Sequence, residues 1–225
     1  GTVINNGEMS VTNNDFMATV EVRVSPSPAT YNSNVTLTAT VKNGDSSVTD
    51  GSVTFYQGEV KDSNKLNSEP ANVTSGTATA SIQLTGNDWT PNETPYTITA
   101  VYTPAEGSKL LESSGTTTLT VNKATQTAPS APTLSSRTST SVVLNEITTP
   151  GQGAVQYGYT TRREPSMQEN RWQTDTTFDD LTPGTTYTFY ARYAGNEYYN
   201  PSPTSSGLAV TTERADSTLK VEPSS

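Results

Sequence analysis

Apolar and polar positions alternate along most of this chain with a period of two, the spacing of a strand with one face in a core and the other in water. In residues 17–24, MATVEVRV, the apolar series is Ala18, Val20, Val22 and Val24, and Ser25-Pro26-Ser27-Pro28 ends it. A second run sets Val35, Leu37, Ala39 and Val41 against Thr36, Thr38, Thr40 and Lys42, and Asn43-Gly44-Asp45 then turns the chain. Val53 and Phe55 in GSVTFYQG, Ala78, Ile82 and Leu84 in GTATASIQL, the series Tyr96, Ile98, Ala100 and Tyr102, and residues 116–121 add four more strands. Residues 59–75 show no period and read either as a long loop or as cover for a short edge strand.

Residues 122–132, NKATQTAPSAP, break the alternation with Pro, Ala, Ser and Thr and so predict a linker or the entry to a new domain. A second series follows at residues 141–147, 155–161, 171–174, 187–193 and 208–212, short strands at the spacing of a β-sandwich. The two series repeat one another. Tyr96-Thr97-Ile98-Thr99-Ala100-Val101-Tyr102 and Tyr187-Thr188-Phe189-Tyr190-Ala191-Arg192-Tyr193 agree at Tyr, Thr, Ala and Tyr without a gap, and they lie one domain length apart. Each opening tyrosine follows a Pro-containing turn, Trp89-Thr90-Pro91-Asn92 or Leu181-Thr182-Pro183-Gly184. This predicts two sandwiches in tandem: residues 1–123 with a core from about 17, a linker over 124–132, a second domain over 133–213, and a tail or the start of a further module over 214–225.

The segment LTPGTTY, residues 181–187, resembles the fibronectin type III family, in which Leu-x-Pro-x-x-x-Tyr leads into the sixth strand. The resemblance implies a tyrosine corner at Tyr187, with Tyr96 as its counterpart. In such a corner the hydroxyl bonds a backbone group upstream while the ring packs on the core. The second strand, SVVLNEI, departs from that family in having no tryptophan. Residues 17–123 are similar to the bacterial immunoglobulin-like repeats of Gram-positive surface proteins, through SNVTLTATV, GSVTFYQG, TATASIQL, YTITAVYT and GTTTLTV. Together these imply an all-β protein of two immunoglobulin-like or fibronectin type III-like sandwiches, a class mostly used as spacers or as platforms for another domain.

Composition narrows the function. The 225 residues give each domain about 100, enough to bury a core. Hydrophobic residues make up 31% of the chain, low enough to leave disorder open until the periodicity is considered. With 13 Lys and Arg against 22 Asp and Glu the net charge is −9, which repels phosphate backbones and anionic lipid and excludes nucleic acid and membrane-surface partners. There is no cysteine, which fits a bacterial exterior better than a eukaryotic one, and no histidine, which removes the usual general base. No apolar run approaches the roughly 20 residues needed to span a bilayer. No basic-then-apolar leader precedes residue 20 and no cell-wall sorting motif occurs, so the chain reads as a piece of something longer.

The search for chemistry yields little. Asp179-Asp180 are neighbours on an extended segment and point apart, so they cannot flank one substrate bond. Gly151-Gln152-Gly153 lies between strands rather than opening a helix, and neither Asn43-Gly44-Asp45 nor Gly86-Asn87-Asp88 completes a calcium loop. No catalytic residue, cofactor site or metal site is expected. Exposed aromatics can stack on sugar rings, which makes Trp172, Tyr198 and Tyr199 the candidate ligand-binding residues, with Tyr190 and Tyr193 nearby in sequence. The favoured reading is structural: Tyr157 or Tyr159, Tyr187 and Phe189 fill the core, Trp172 covers a sheet edge and Trp89 plugs the first corner. Lys42 and Lys123 are candidates for a Lys–Asn cross-link in place of disulfides. Asn34, Asn72 and Asn92 begin Asn-x-Thr glycosylation patterns of the kind a Thr-rich chain produces by chance. The expected function is a non-catalytic, monomeric, extracellular spacer of a bacterial cell-surface protein, partnered by that protein's other domains. The alternative is a module that binds a host glycan or protein.

Overall fold

Valine and threonine carry two branches at Cβ and favour the extended backbone, and the runs rich in them form antiparallel ladders. The computed structural model describes residues 2–5, 8–11, 16–148, 150–161 and 171–215. These divide between Lys123 and Ala124 into two units.

In the first unit one sheet runs in the order Thr77–Gln83, Asn34–Asn43, Thr19–Ser25, with the short strand Ser46–Ser47 folded back on the second of these. The other runs Ser113–Leu119, Tyr96–Thr103, Ser52–Gln57, Ala71–Asn72. Alternate residues of both sheets meet in one core: Val35, Leu37, Ala39 and Val41 from the first, and Val53, Phe55, Ile98, Ala100, Tyr102 and Leu119 from the second. All ten are essentially inaccessible to solvent. Gly115 is required where the sheets close on each other, because a Cβ there would stand 2.0 Å from the carbonyl oxygen of Val20.

Period-two reading misplaces two strands of this unit. The run at residues 17–24 divides at the buried Ala18. Phe16–Met17 pairs in parallel with Leu110–Leu111, while Thr19–Ser25 pairs antiparallel with Asn34–Asn43. The last strand begins at Ser113, not Thr116, and beyond Leu119 the chain pairs again at Val121–Asn122, in parallel with Ala29–Thr30. Changing partner costs no change in alternation, so the hydrophobic pattern is blind to it.

Residues 59–75 do conceal an edge strand, Ala71–Asn72, paired with Ser52–Gln57. Asn67 prepares it. Its Oδ1 accepts the Phe55 N–H at 2.7 Å and its Nδ2 donates to the Val53 and Glu69 carbonyls, so a side-chain amide continues the ladder.

The second unit has the same plan with shorter strands. One sheet is Leu134–Arg137, Val142–Leu144, Thr177–Phe178, and the other Val155–Thr161, Thr186–Tyr193, Leu208–Thr211. The expected strand at residues 171–174 is reduced to one bridge, Tyr157 to Gln173. Here too a side-chain amide braces the edge, with Gln173 Nε2 donating to the carbonyls of Asp175 and Thr177.

With no tryptophan on its second strand, this unit fills its core with smaller rings. Phe178 and Phe189 lie 5.0 Å apart, and Tyr159 meets Phe178 and Tyr187 edge-on at 5.6 and 5.1 Å, a geometry that suits the ring quadrupoles.

Two further contacts in this unit are invisible to periodicity. Residues 124–126, the start of the expected linker, are bonded into the sandwich. Ala124 donates to the Tyr198 carbonyl and accepts from Asn200, and Gln126 Nε2 donates to the Ala194 and Asn200 carbonyls. The stretch Pro201-Ser202-Pro203-Thr204-Ser205, which has too few N–H groups for a regular strand, lies along Thr186–Tyr193 instead. Ser202 and Ser205 donate their N–H groups to the Tyr193 and Ala191 carbonyls, and their hydroxyls accept the Tyr193 and Ala191 N–H groups in return, each at 2.9 Å.

Tyr102 gives the first unit a signature in alkali. Its fully buried hydroxyl donates to Asp50 Oδ1 at 3.2 Å. Desolvation, reinforced by the bond to Asp50 and by its charge, pushes the phenol up from 10.0 to about 12. A pKa raised on folding gives stability that is whole below the unfolded value and is lost as pH climbs to the folded one. Stability should therefore decline between about pH 10 and 12, and Tyr102→Phe should flatten that decline in urea titrations followed through the first unit. An unchanged decline in the variant would assign it to other groups.

Candidate functional site

Repeated tyrosines mark equivalent positions in the two units. The Tyr96 hydroxyl donates to the Thr90 carbonyl at 2.7 Å, and the Tyr187 hydroxyl accepts the Thr182 N–H at 2.8 Å. Both bonds return to the Pro-containing turn upstream, and in the first unit the buried Trp89 closes the corner edge-on to Tyr96 at 5.2 Å. These tyrosines each tie one turn to one strand.

The aromatic candidates fall into two groups. Tyr157 is buried and its hydroxyl accepts the Ile147 N–H, while Tyr159 belongs to the ring cluster of the core. Trp172 is half-buried beneath the guanidinium of Arg192, whose Cζ stands 4.5 Å from the ring centroid. The Arg192 Nε donates to Gln156 Oε1 on the next strand. A cation–π contact of this kind contributes about 0.5–1 kcal/mol at an exposed site and covers one face of the indole. Tyr198 and Tyr199 lie instead in the loop after Thr186–Tyr193. There Asn196 Oδ1 accepts both their N–H groups at 2.8 Å and the backbone beside them holds Ala124. Trp172 thus stands on a sheet face and the two tyrosines on a braced loop.

The remaining candidates are exposed. Lys42 and Lys123 both face solvent at strand ends, whereas a spontaneous Lys–Asn cross-link needs a lysine buried beside an acid. Asp179 and Asp180 are exposed, as are Asn34, Asn72 and Asn92. Gly151-Gln152-Gly153 forms a turn pinned by the Gln152 N–H to Gln126 Oε1. Among the described residues no three His, Cys, Asp or Glu side chains are grouped to hold a metal, and no helix is long and apolar enough to cross a membrane.

Sequence comparison yields no match to a known protein family or to a curated protein. Solved structures give likenesses. A segment of two fibronectin type III domains from chicken tenascin is 15% identical over 86% of this chain and 98% of its own, with a TM-score of 0.37. A stretch of titin domains is 14% identical over 88% of this chain and 66% of its own, at 0.32. The FN1–FN3 domains of chicken CNTN1 are 14% identical over 89% and 65%, at 0.31. The chain spans about two thirds of the length of the titin and CNTN1 fragments. What decides the fold is the strand order: the seven main strands of the first unit divide into the first, second and fifth in one sheet and the third, fourth, sixth and seventh in the other, and the six of the second unit into the first, second and fourth and the third, fifth and sixth. Both units are β-sandwiches of the immunoglobulin-like, fibronectin type III-like class.

A fold of this class assigns no activity by itself, so function is read from its exposed faces, edges and loops. One concave feature belongs to the first sandwich, beside the parallel pair Phe16–Met17 and Leu110–Leu111. It is an open cavity of about 770 Å³ whose wall includes Met17, Val20, Val60, Val101, Glu112 and Ser113. Periodicity could not have found it, because its wall joins an edge strand, a loop without period and the start of the last strand.

Proposed function

We propose that this chain is a load-bearing spacer: a non-catalytic extracellular segment of a bacterial cell-surface protein that holds another domain away from its anchor. Its two modules lie at residues 1–123 and 133–213, and of the expected joint, residues 124–132, the first three are already bonded into the second sandwich. One observation carries the reading. In the first unit the entering segments pair in parallel with segments toward the exit, Phe16–Met17 with Leu110–Leu111 and Ala29–Thr30 with Val121–Asn122, and in the second Ala124 bridges in parallel to Tyr199 in the loop before the last strand. When parallel segments are pulled from the start of one and the end of the other, their hydrogen bonds are loaded side by side in shear and must break together, not one at a time as at a zipper end. The bonds concerned include Ala29 N–H to the Thr120 carbonyl and Tyr31 N–H to the Asn122 carbonyl, both 2.9 Å. Threonine-rich ladders behind them add cross-strand pairs that share the strain.

Single-molecule force spectroscopy of the chain held by its ends tests this. Two unfolding events are expected, each at substantial force. Ala29→Pro, which deletes one clamp donor, should speed forced unfolding of the first sandwich about tenfold for each 1.4 kcal/mol removed from its barrier. Unfolding of the unaltered chain at negligible load would end the load-bearing reading.

A further inference from the structure

We infer that the first sandwich carries a self-modification site at Asn43-Gly44. The Gly44 nitrogen attacks the Asn43 side-chain carbonyl carbon and expels ammonia, and water then opens the cyclic imide to isoaspartate or aspartate. The inference is independent of the spacer reading.

The pair stands at the tip of the hairpin between Asn34–Asn43 and Ser46–Ser47, where Asn43 faces Ser46 as the last pair of a two-residue ladder. Such an end pair opens at little cost. Both residues are exposed, and a Cβ built on Gly44 would meet nothing within 4 Å, so nothing crowds the attacking nitrogen. Gly44 sits at φ +60°, in the left-handed region that glycine enters freely. Neither the Asn43 side-chain amide nor the Gly44 N–H has a hydrogen-bond partner among the described residues. Both reacting groups are therefore available without breaking a bond of their own.

The same sandwich holds the contrast. Serine, another small residue, follows asparagine at Asn32-Ser33 and Asn67-Ser68, and both pairs are tied down. The Ser33 N–H donates to the Thr30 carbonyl at 3.0 Å, and Asn32 Oδ1 accepts Gln83 Nε2 at 3.4 Å. Asn67 is half-buried with both ends of its amide engaged, Oδ1 by the Phe55 N–H and Nδ2 by the Val53 and Glu69 carbonyls. Reaction at Asn67 would undo the sheet edge, whereas reaction at Asn43 disturbs only a hairpin tip. The product changes the molecule in two ways. Isoaspartate routes the main chain through the former side chain and lengthens it by one methylene, and either product adds a carboxylate to a chain of net charge −9. Behind the tip, the Val48 N–H donates to the Val41 carbonyl and the Gly76 N–H to the Val48 carbonyl, and a lengthened hairpin pulls on both bonds.

The test is peptide mapping by mass spectrometry of the whole chain after incubation in mildly alkaline buffer, once folded and once in urea. Mapping keeps Asn43 apart from Asn6-Gly7, the same pair of residue types outside the described residues. In the folded protein Asn43 should convert at least about tenfold faster than Asn32 or Asn67, with isoaspartate, detected by enzymatic methylation, among its products. Urea should speed Asn67 about tenfold and change Asn43 much less, because only Asn67 has bonds to lose. Gly44→Ala should slow the reaction at Asn43 about tenfold. Any loosening of the hairpin by alanine at that backbone angle acts in the opposite direction, so slowing belongs to the added side chain. An Asn43 that stays intact, converts no faster than Asn67, gains as much from urea, yields aspartate alone or ignores Gly44→Ala would overturn the assignment.

Discussion

Phe189→Ala should take about 3–5 kcal/mol from the second sandwich and leave the unfolding transition of the first where it stood. Phe189 is fully buried and touches Tyr159, Phe178 and Tyr187 ring to ring, so truncation opens a cavity in a core built around those contacts. A loss of that size approaches the whole stability of a small domain. The reciprocal change, Phe55→Ala, should do the same to the first sandwich, whose core is assembled from residues before Lys123. The two tryptophans make the experiment clean, since Trp89 reports on the first unit and Trp172 on the second. In urea titrations read with the other tryptophan replaced by phenylalanine, each core variant should shift one reporter alone. If both reporters moved together in either variant, the two cores would be one cooperative body and the reading of serial modules would fail.

Why the cores were legible is visible in that same residue. Phe189 lies in a run whose inward positions, Tyr187, Phe189, Ala191 and Tyr193, are all buried and whose intervening positions are not. Strict alternation of this kind has one solution in a two-layer sheet. The repeat of Tyr96 and Tyr187 was equally legible because a turn, a proline and a tyrosine fall at fixed offsets in sequence.

What escaped has a common cause. Asn67, Gln173, Ser202 and Ser205 each replace a missing strand partner with a side-chain donor or acceptor, and a polar side chain serving a ladder looks in sequence like one facing solvent. The parallel clamp pairs were hidden because a two-residue bridge leaves no periodic trace. The cavity was hidden because its wall is drawn from segments far apart in the sequence. Trp172 reads in sequence as the cover of a sheet edge or as an aromatic platform, and only folding shows Arg192 above its ring.

Ser205→Ala should cost the second sandwich about 1–3 kcal/mol, unusual for a serine outside regular secondary structure. Ala191 is completely buried, and its N–H points away from the Val155–Thr161 strand into the Ser205 hydroxyl at 2.9 Å. Alanine would set a methyl group against that N–H and leave it without its acceptor in a place water cannot reach. Ser202→Ala presents the same situation to the Tyr193 N–H, and the two changes together should bring the unit close to unfolding. Ser206→Ala is the control, an exposed serine in the same loop, and should stay within about 0.5 kcal/mol of the unaltered protein. Amide exchange supplies the residue-level reading: in Ser205→Ala the Ala191 amide should lose protection while the core amides of the first sandwich keep theirs. The consequence reaches the proposed function, because the serines fasten the stretch that follows Tyr198, Tyr199 and Asn200, against which Ala124 is paired. A loop released at Ser202 and Ser205 would free one side of the entry clamp, so the double variant should also unfold at lower force than the Ser206 control. If stability, exchange and force were all unchanged, the serine hydroxyls would be spectators, and the backbone N–H bonds of Ser202 and Ser205 alone would hold the loop.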